Sequence, residues 1–147
     1  MSTSARSVAR KLGGRGVLRR NVASDRDLIA VVRAGLPVRA LDYFLKLWAR
    51  ELNQGDVYRV IGSARTLQRK RAHGTVLSTE ESDRLARLAR IVVRAEDALG
   101  DEVRARRWLT AENRALGGVP PLSLLDSDLG VLAVEQVLGR IEHGVYS

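Results

Sequence analysis

No cysteine occurs in this chain of 147 residues, and histidine occurs only as His73 and His143. Those absences exclude disulfide frameworks, thiolate zinc sites and thiol nucleophiles, and they leave too little histidine for a metal cluster. No apolar run reaches the roughly 18 residues that span a bilayer, so no membrane segment is expected. A catalytic set is missing too. No Ser/His/Asp arrangement and no paired carboxylates stand out from helix-surface charge, so the chain reads as a non-enzyme with no catalytic residue, no metal site and no cofactor.

What is present is charge, unevenly placed. Residues 1–75 hold 16 of the 25 basic residues and 5 of the 17 acidic ones, a net of +11, whereas residues 76–147 hold 9 and 12, a net of −3. A basic half attracts polyanions through phosphate contacts and counterion release, and a mildly acidic half has no such reason to approach nucleic acid. Two tasks are expected of one chain. The preference for Arg over Lys accounts for residue type but not for this segregation.

Residues 1–22 begin with Arg6, Arg10, Lys11, Arg15, Arg19 and Arg20, no acidic residue, and the glycines Gly13, Gly14 and Gly16. A disordered basic arm is expected there, with a DNA-contacting arm and a transit peptide as the competing readings. The GGRG cluster has no strand before it and is therefore no phosphate loop.

From Ser24 onward the apolar spacing is helical, and the fold class is all-α. Ser24 or Asp25 caps a helix to about Ala34, stopped by Gly35. Pro37 suits the start of a second helix whose stripe is Leu41, Phe44, Leu45, Trp48 and Leu52. A short helix from Asp56 to Ile61 and a basic helix from Ala64 to about Ala72 follow, separated by Gly62 and Ser63. Ser78 and Glu81 have capping-box spacing ahead of a long helix with the seam Leu85, Leu88, Val92, Ala95 and Leu99, ended by Gly100. Glu80 with Arg84, and Asp83 with Arg87, are expected to pair on its solvated face. Asp101 caps another helix through Trp108 and Leu109, and a final helix runs from Asp128 to about His143, capped by Ser127. The domains expected are a helix-turn-helix over 23–77 and a smaller helical unit over 78–147.

Two segments carry the functional expectation. The helix pair from Asp56 to His73 has a helix-turn-helix layout, in which Ser63 caps the second helix near a phosphate, Arg65 forks onto guanine and Gln68 onto adenine. Thr66, Arg69, Lys70 and Arg71 complete the DNA-binding set, and Leu67 points inward against Leu52 and Ile61. The last helix has apolar residues around most of its circumference (Leu129, Val131, Leu132, Ala133, Val134, Val137, Leu138 and Ile141), so it needs neighbours on more than one side: either as a central core helix or as a docking surface for another chain. The tail Arg140, Ile141, Glu142, His143, Gly144, Val145, Tyr146 and Ser147 suits a partner's cleft.

SARTLQRKR from Ser63, ESDRLARLARI from Glu81, GD at Gly100, Trp108 with Leu109, NRALGG from Asn113, PLSLL from Pro121 and LGRIEHGVYS from Leu138 occur here in that order. Over residues 24–147 the chain thereby resembles the Xre/ParS-type antitoxins of RES–Xre toxin–antitoxin pairs, whose C-terminal domain is shared with the MbcA antitoxins. The resemblance implies a cytoplasmic bacterial protein that neutralises a RES-domain, NAD-depleting toxin by obstructing its active site, and that represses its own operon by binding operator DNA. It maps the DNA-reading helix onto Ser63, Arg65, Thr66, Gln68, Arg69 and Arg71, and the toxin-facing end onto Arg140, Glu142, His143 and Gly144. A proline commonly precedes the Asn113 position in the family; Glu112 stands there. A homodimer is expected from the long seam and from paired operator half-sites, with a hetero-oligomer formed on toxin binding. The alternative is a stand-alone helix-turn-helix regulator whose C-terminal half only dimerises.

Overall fold

The computed structural model describes residues 4–48 and 54–144. Among these residues the elements are helices: α1 (Ala5–Lys11), α2 (Gly14–Leu18), α3 (Asp25–Ala34), α4 (Val38–Leu47), α5 (Gln54–Ile61), α6 (Ala64–His73), α7 (Thr79–Leu99), α8 (Glu102–Thr110) and α9 (Asp128–Glu142). Two 3-10 turns, Arg114–Leu116 and Pro121–Leu124, link α8 to α9.

Short polar side chains start most of these helices where the spacing predicts. Ser24, Ser63, Ser78, Asp101 and Ser127 each accept a hydrogen bond from the backbone N–H three residues on, satisfying one of the donors a helix start leaves orphaned. At Ser78 the full capping box forms, because Glu81 returns its carboxylate to the Ser78 N–H at 2.8 Å. Leu41, Phe44, Leu45 and Trp48 are buried, with the rings of Phe44 and Trp48 stacked 5.9 Å apart; Leu52 lies outside the described residues.

α7 is the spine of the molecule. It packs against α1, α3, α5, α8 and α9, and its seam residues Leu85, Leu88, Val92 and Ala95 are buried inside the same chain. These four are therefore core rather than a dimer contact, because neighbouring helices already cover them, while Leu99, the last of the seam, is only partly buried. The pairs expected between Glu80 and Arg84 and between Asp83 and Arg87 give way to longer-range ones. Arg84 donates to the Ile61 carbonyl at 3.3 Å, and Arg87 pairs with Asp128.

The opening of the chain corrects a second expectation. Residues 5–18 are not a disordered arm: α1 and α2 fold against the body, burying Ala5, Val8, Ala9, Leu12 and Leu18. Their spacing of 3, 1 and 3 puts Ala5, Val8, Ala9 and Leu12 on one helical face, enough apolar surface to offset the ordering of a basic segment. Lys11 fixes that face by pairing with Glu96 of α7 at 2.6 Å. Gly13, at φ 103°, makes the turn between the two helices; a Cβ there would overlap the Val17 side chain. The GGRG cluster is thus a corner.

Loop 35–37 is held against the segment before α7. Leu77 N–H donates to the Leu36 carbonyl at 2.8 Å, and Leu36 N–H donates to the buried Ser82 Oγ at 2.8 Å. No helix among the described residues is long and apolar enough to cross a membrane.

Candidate functional site

α6 has two unlike faces. Arg65, Gln68 and Arg69, at spacings of 3 and 1, are exposed on one side, while Leu67 is buried on the other with Lys70 and Arg71 only partly exposed beside it. Lys70 Nζ reaches Glu81 of α7 at 2.5 Å, and Arg71 pairs with Asp42 of α4 and donates to the Tyr58 hydroxyl of α5. Of the predicted DNA-binding set, Lys70 and Arg71 are therefore committed to holding α6 in place. Arg65, Gln68 and Arg69 remain free to meet a ligand, with the half-buried Thr66 beside them and Ser63 as the cap.

The electrostatics fit that division. Burial pushes the Glu81 carboxyl upward, but hydrogen bonds from Lys70 and from the Ser78 backbone outweigh it, and its pKa ends below the ordinary carboxylate value. For Arg71, burial works against the charge, but bonds to Asp42 and Tyr58 prevail and raise its pKa further. Both side chains stay charged and fixed at neutral pH.

The second face lies on α9. Val131, Val134 and Leu138 fill the core under it, whereas Leu129 is 80% exposed and Leu132 52% exposed. Leu129, Leu132, Gln136, Arg140 and His143 follow one another at intervals of 3 or 4 and are all exposed, an outward stripe that begins apolar and ends basic. α9 can sit this deep because Gly130 lies against the 3-10 turn before it: a Cβ at Gly130 would collide with the Leu124 carbonyl oxygen. Arg94 of α7 grips the other end, bonding Glu135 and Glu142 at 3.1 Å each.

Within the predicted toxin-facing tail, then, Ile141 packs on the core and Glu142 is held by Arg94, leaving Arg140, His143 and Gly144 exposed. Val145, Tyr146 and Ser147 lie outside the described residues. Sequence reading missed Gly130 and Arg94. A glycine inside a helical pattern was a visible signal for the first; the second had none, since its partners lie over 40 residues away. Asn113, preceded by Glu112 and not proline, still closes its loop: its side chain accepts from Ala115 N–H at 3.0 Å and its carbonyl from Gly118 N–H at 2.8 Å.

α7 separates the two faces. At about 100° per residue, Arg87, Arg90 and Arg94, which hold α9, project about 180–240° around the axis from Glu81, which holds α6. The α6 and α9 faces thus attach to opposite sides of one helix.

The chain thus presents two separate exposed faces, a basic one on α6 in a helix-turn-helix arrangement and an apolar-to-basic stripe on α9. A family model described as the antitoxin Xre-like helix-turn-helix domain matches residues 27–90, and one described as the antitoxin Xre/MbcA/ParS C-terminal toxin-binding domain matches residues 94–144. The Antitoxin Xre of Photorhabdus laumondii is 35% identical over 127 residues, covering 85% of this chain and 84% of its own. That of Yersinia enterocolitica is 35% identical over 122 residues, covering 82% and 81%. A Sphingobium protein named Prs ADP-ribosylating antitoxin is 32% identical over 135 residues, covering 85% and 84%. The chain belongs to the Xre antitoxin family.

Proposed function

We propose that this protein is the non-enzymatic antitoxin of a type II toxin–antitoxin pair, acting in the bacterial cytoplasm on a RES-domain toxin that depletes NAD. The outward stripe of α9 docks on the toxin, and the tail from Arg140 onward fills the entrance to its active site. Leu129 and Leu132 supply the apolar anchors of that contact, Arg140 and His143 its polar end. The same chain represses its own operon by laying α6 in the major groove of operator DNA, with Arg65 and Gln68 on base edges and Arg69 on phosphate. Ser63 and the first-turn amides of α6 favour a nearby phosphate, and Lys70 and Arg71 support the reading face from behind.

The observation that carries this reading is the opposition of the two faces across α7, which lets one molecule hold toxin and DNA without the two competing for surface. Two copies would present two reading helices to paired half-sites. Their contact would use surface other than the buried α7 seam.

Co-expression tests the reading. A RES-like toxin encoded beside this gene is expected to co-purify with the chain and to lose its toxicity; a stand-alone regulator would do neither. The word ADP-ribosylating in the Sphingobium relative's name favours a second chemistry, in which the partner consumes NAD by transferring its ADP-ribosyl group to an acceptor with release of nicotinamide, and product analysis of the isolated toxin separates this transfer from hydrolysis of NAD.

A further inference from the structure

Residues 1–24 contain no acidic residue, and both family matches begin after them. Lys11 is neutralised by Glu96 and Glu102, at 2.6 and 3.3 Å. Arg6, Arg10, Arg15, Arg19 and Arg20 are exposed and form no ion pair among the described residues. Five unpaired guanidiniums fixed on a folded element, in a chain of formal net charge +8, form a site for a polyanion.

The fold says which polyanion. Glu96, which anchors α1 through Lys11, is 15 residues beyond Glu81, which anchors α6 through Lys70. That spacing is about 60° of rotation and about 22 Å of rise along α7. The new basic element and the reading helix are therefore fastened to one side of the spine, while α9 is fastened to the other. Contacts bridge the gap: α2 packs on α4, and α4 packs on α6. On α4, exposed Arg39 and Lys46 stand one turn either side of Asp42, the residue that grips Arg71 of the reading helix. Arg19 keeps a left-handed backbone, φ 58° and ψ 22°, at the end of α2, where glycine would be unstrained.

We infer that α1 and α2 form a second, sequence-independent DNA contact, in which the exposed arginines lie along the phosphate backbone beside the groove entered by α6. The inference rests on α6 being the reading helix, and it extends the footprint beyond the helix-turn-helix itself.

The test uses the full chain and two variants, Arg6→Gln/Arg10→Gln on α1 and Arg15→Gln/Arg20→Gln on and just after α2. Each is titrated with a 30-bp duplex from immediately upstream of the gene, across a range of salt concentrations. Each phosphate contact contributes about 0.9 to the slope of log K against log salt, so each variant is expected to flatten the slope by about 1–2 and to weaken binding about tenfold at 0.1 M salt. Unchanged thermal midpoints and toxin binding establish that the fold survives. If neither variant lowers the slope by as much as one contact while Arg65→Ala abolishes binding, the second contact is overturned and the reading helix stands. If the unmodified chain does not bind the duplex, both fall. Loss of binding to phosphatidylglycerol vesicles with the DNA slope unchanged would also overturn the inference, assigning the arginines to a membrane surface.

Discussion

Lys70 Nζ of α6 lies 2.5 Å from Glu81 Oε1 of α7, and the same carboxylate accepts the Ser78 N–H. One acidic side chain thus closes the cap of the central helix and fastens α6 to it. Because its pKa in the folded chain lies below the ordinary value of 4.5, its contribution to stability is fully present above that value and is lost as pH falls through the lower, folded value. Urea midpoints measured from pH 6 to pH 3 should fall more steeply for the native chain than for Glu81→Gln, which lacks the titrating group. Parallel curves would remove Glu81 from the acid response.

Glu96 behaves with the opposite sign. Burial raises its pKa above 4.5, more than Lys11 lowers it, so in the folded state it costs stability at neutral pH and recovers it as pH falls toward the ordinary value. Glu96→Gln is expected to flatten this component and, by freeing Lys11, to leave an amine with 15% side-chain exposure beside the more solvated Glu102.

Two arginines two residues apart on α6 should respond differently. Arg69→Ala should leave the thermal midpoint in place while weakening operator binding and reducing its salt slope by about 1, as loss of one phosphate contact requires. Arg71→Ala removes the pair with Asp42 and the bond to Tyr58, and should cost about 1–2 kcal/mol of stability. Calorimetry and salt-dependent DNA titration, run on both variants, check the split.

On the opposite side, Leu132→Asp introduces charge at an exposed position and should leave folding intact. A central apolar anchor typically contributes about 2 kcal/mol or more, so toxin affinity should drop about thirtyfold or further. Unchanged affinity in a surface-binding assay would move the docking face elsewhere.

Gly130→Ala should act on folding alone, since its methyl would meet the Leu124 carbonyl oxygen and force α9 away from the 3-10 turn. Overpacking of this kind costs about 1–3 kcal/mol, readable as a shift of the urea midpoint.

Helix starts were the most legible part of the fold, because capping is local chemistry: Ser24, Ser63, Ser78 with Glu81, Asp101 and Ser127 all act within three residues of themselves. The inward turn of Lys70 and Arg71 was legible too, since they stand three and four residues after Leu67 and share its face; their positive charge drew attention to DNA instead. The same distraction hid α1, where arginines and glycines obscure the helical spacing of Ala5, Val8, Ala9 and Leu12. What joins these pieces was not readable. Lys11 with Glu96, Arg71 with Asp42 and Arg94 with Glu135 are partners separated by 85, 29 and 41 residues, and no local pattern couples them. Family resemblance could mark both ends of the chain as functional, but only the packing around α7 puts them on opposite sides.

The account stands or falls on whether this chain closes its partner's active site. Purified toxin should be titrated with the full chain, and with a chain ending at Glu142, which keeps the contacts of Ile141 and Glu142, while NAD consumption is followed. The full chain is expected to stop consumption at a stoichiometric end point, and the shortened chain to bind yet leave most of the activity. A complex that forms with the full chain and consumes NAD at the free toxin's rate would contradict it.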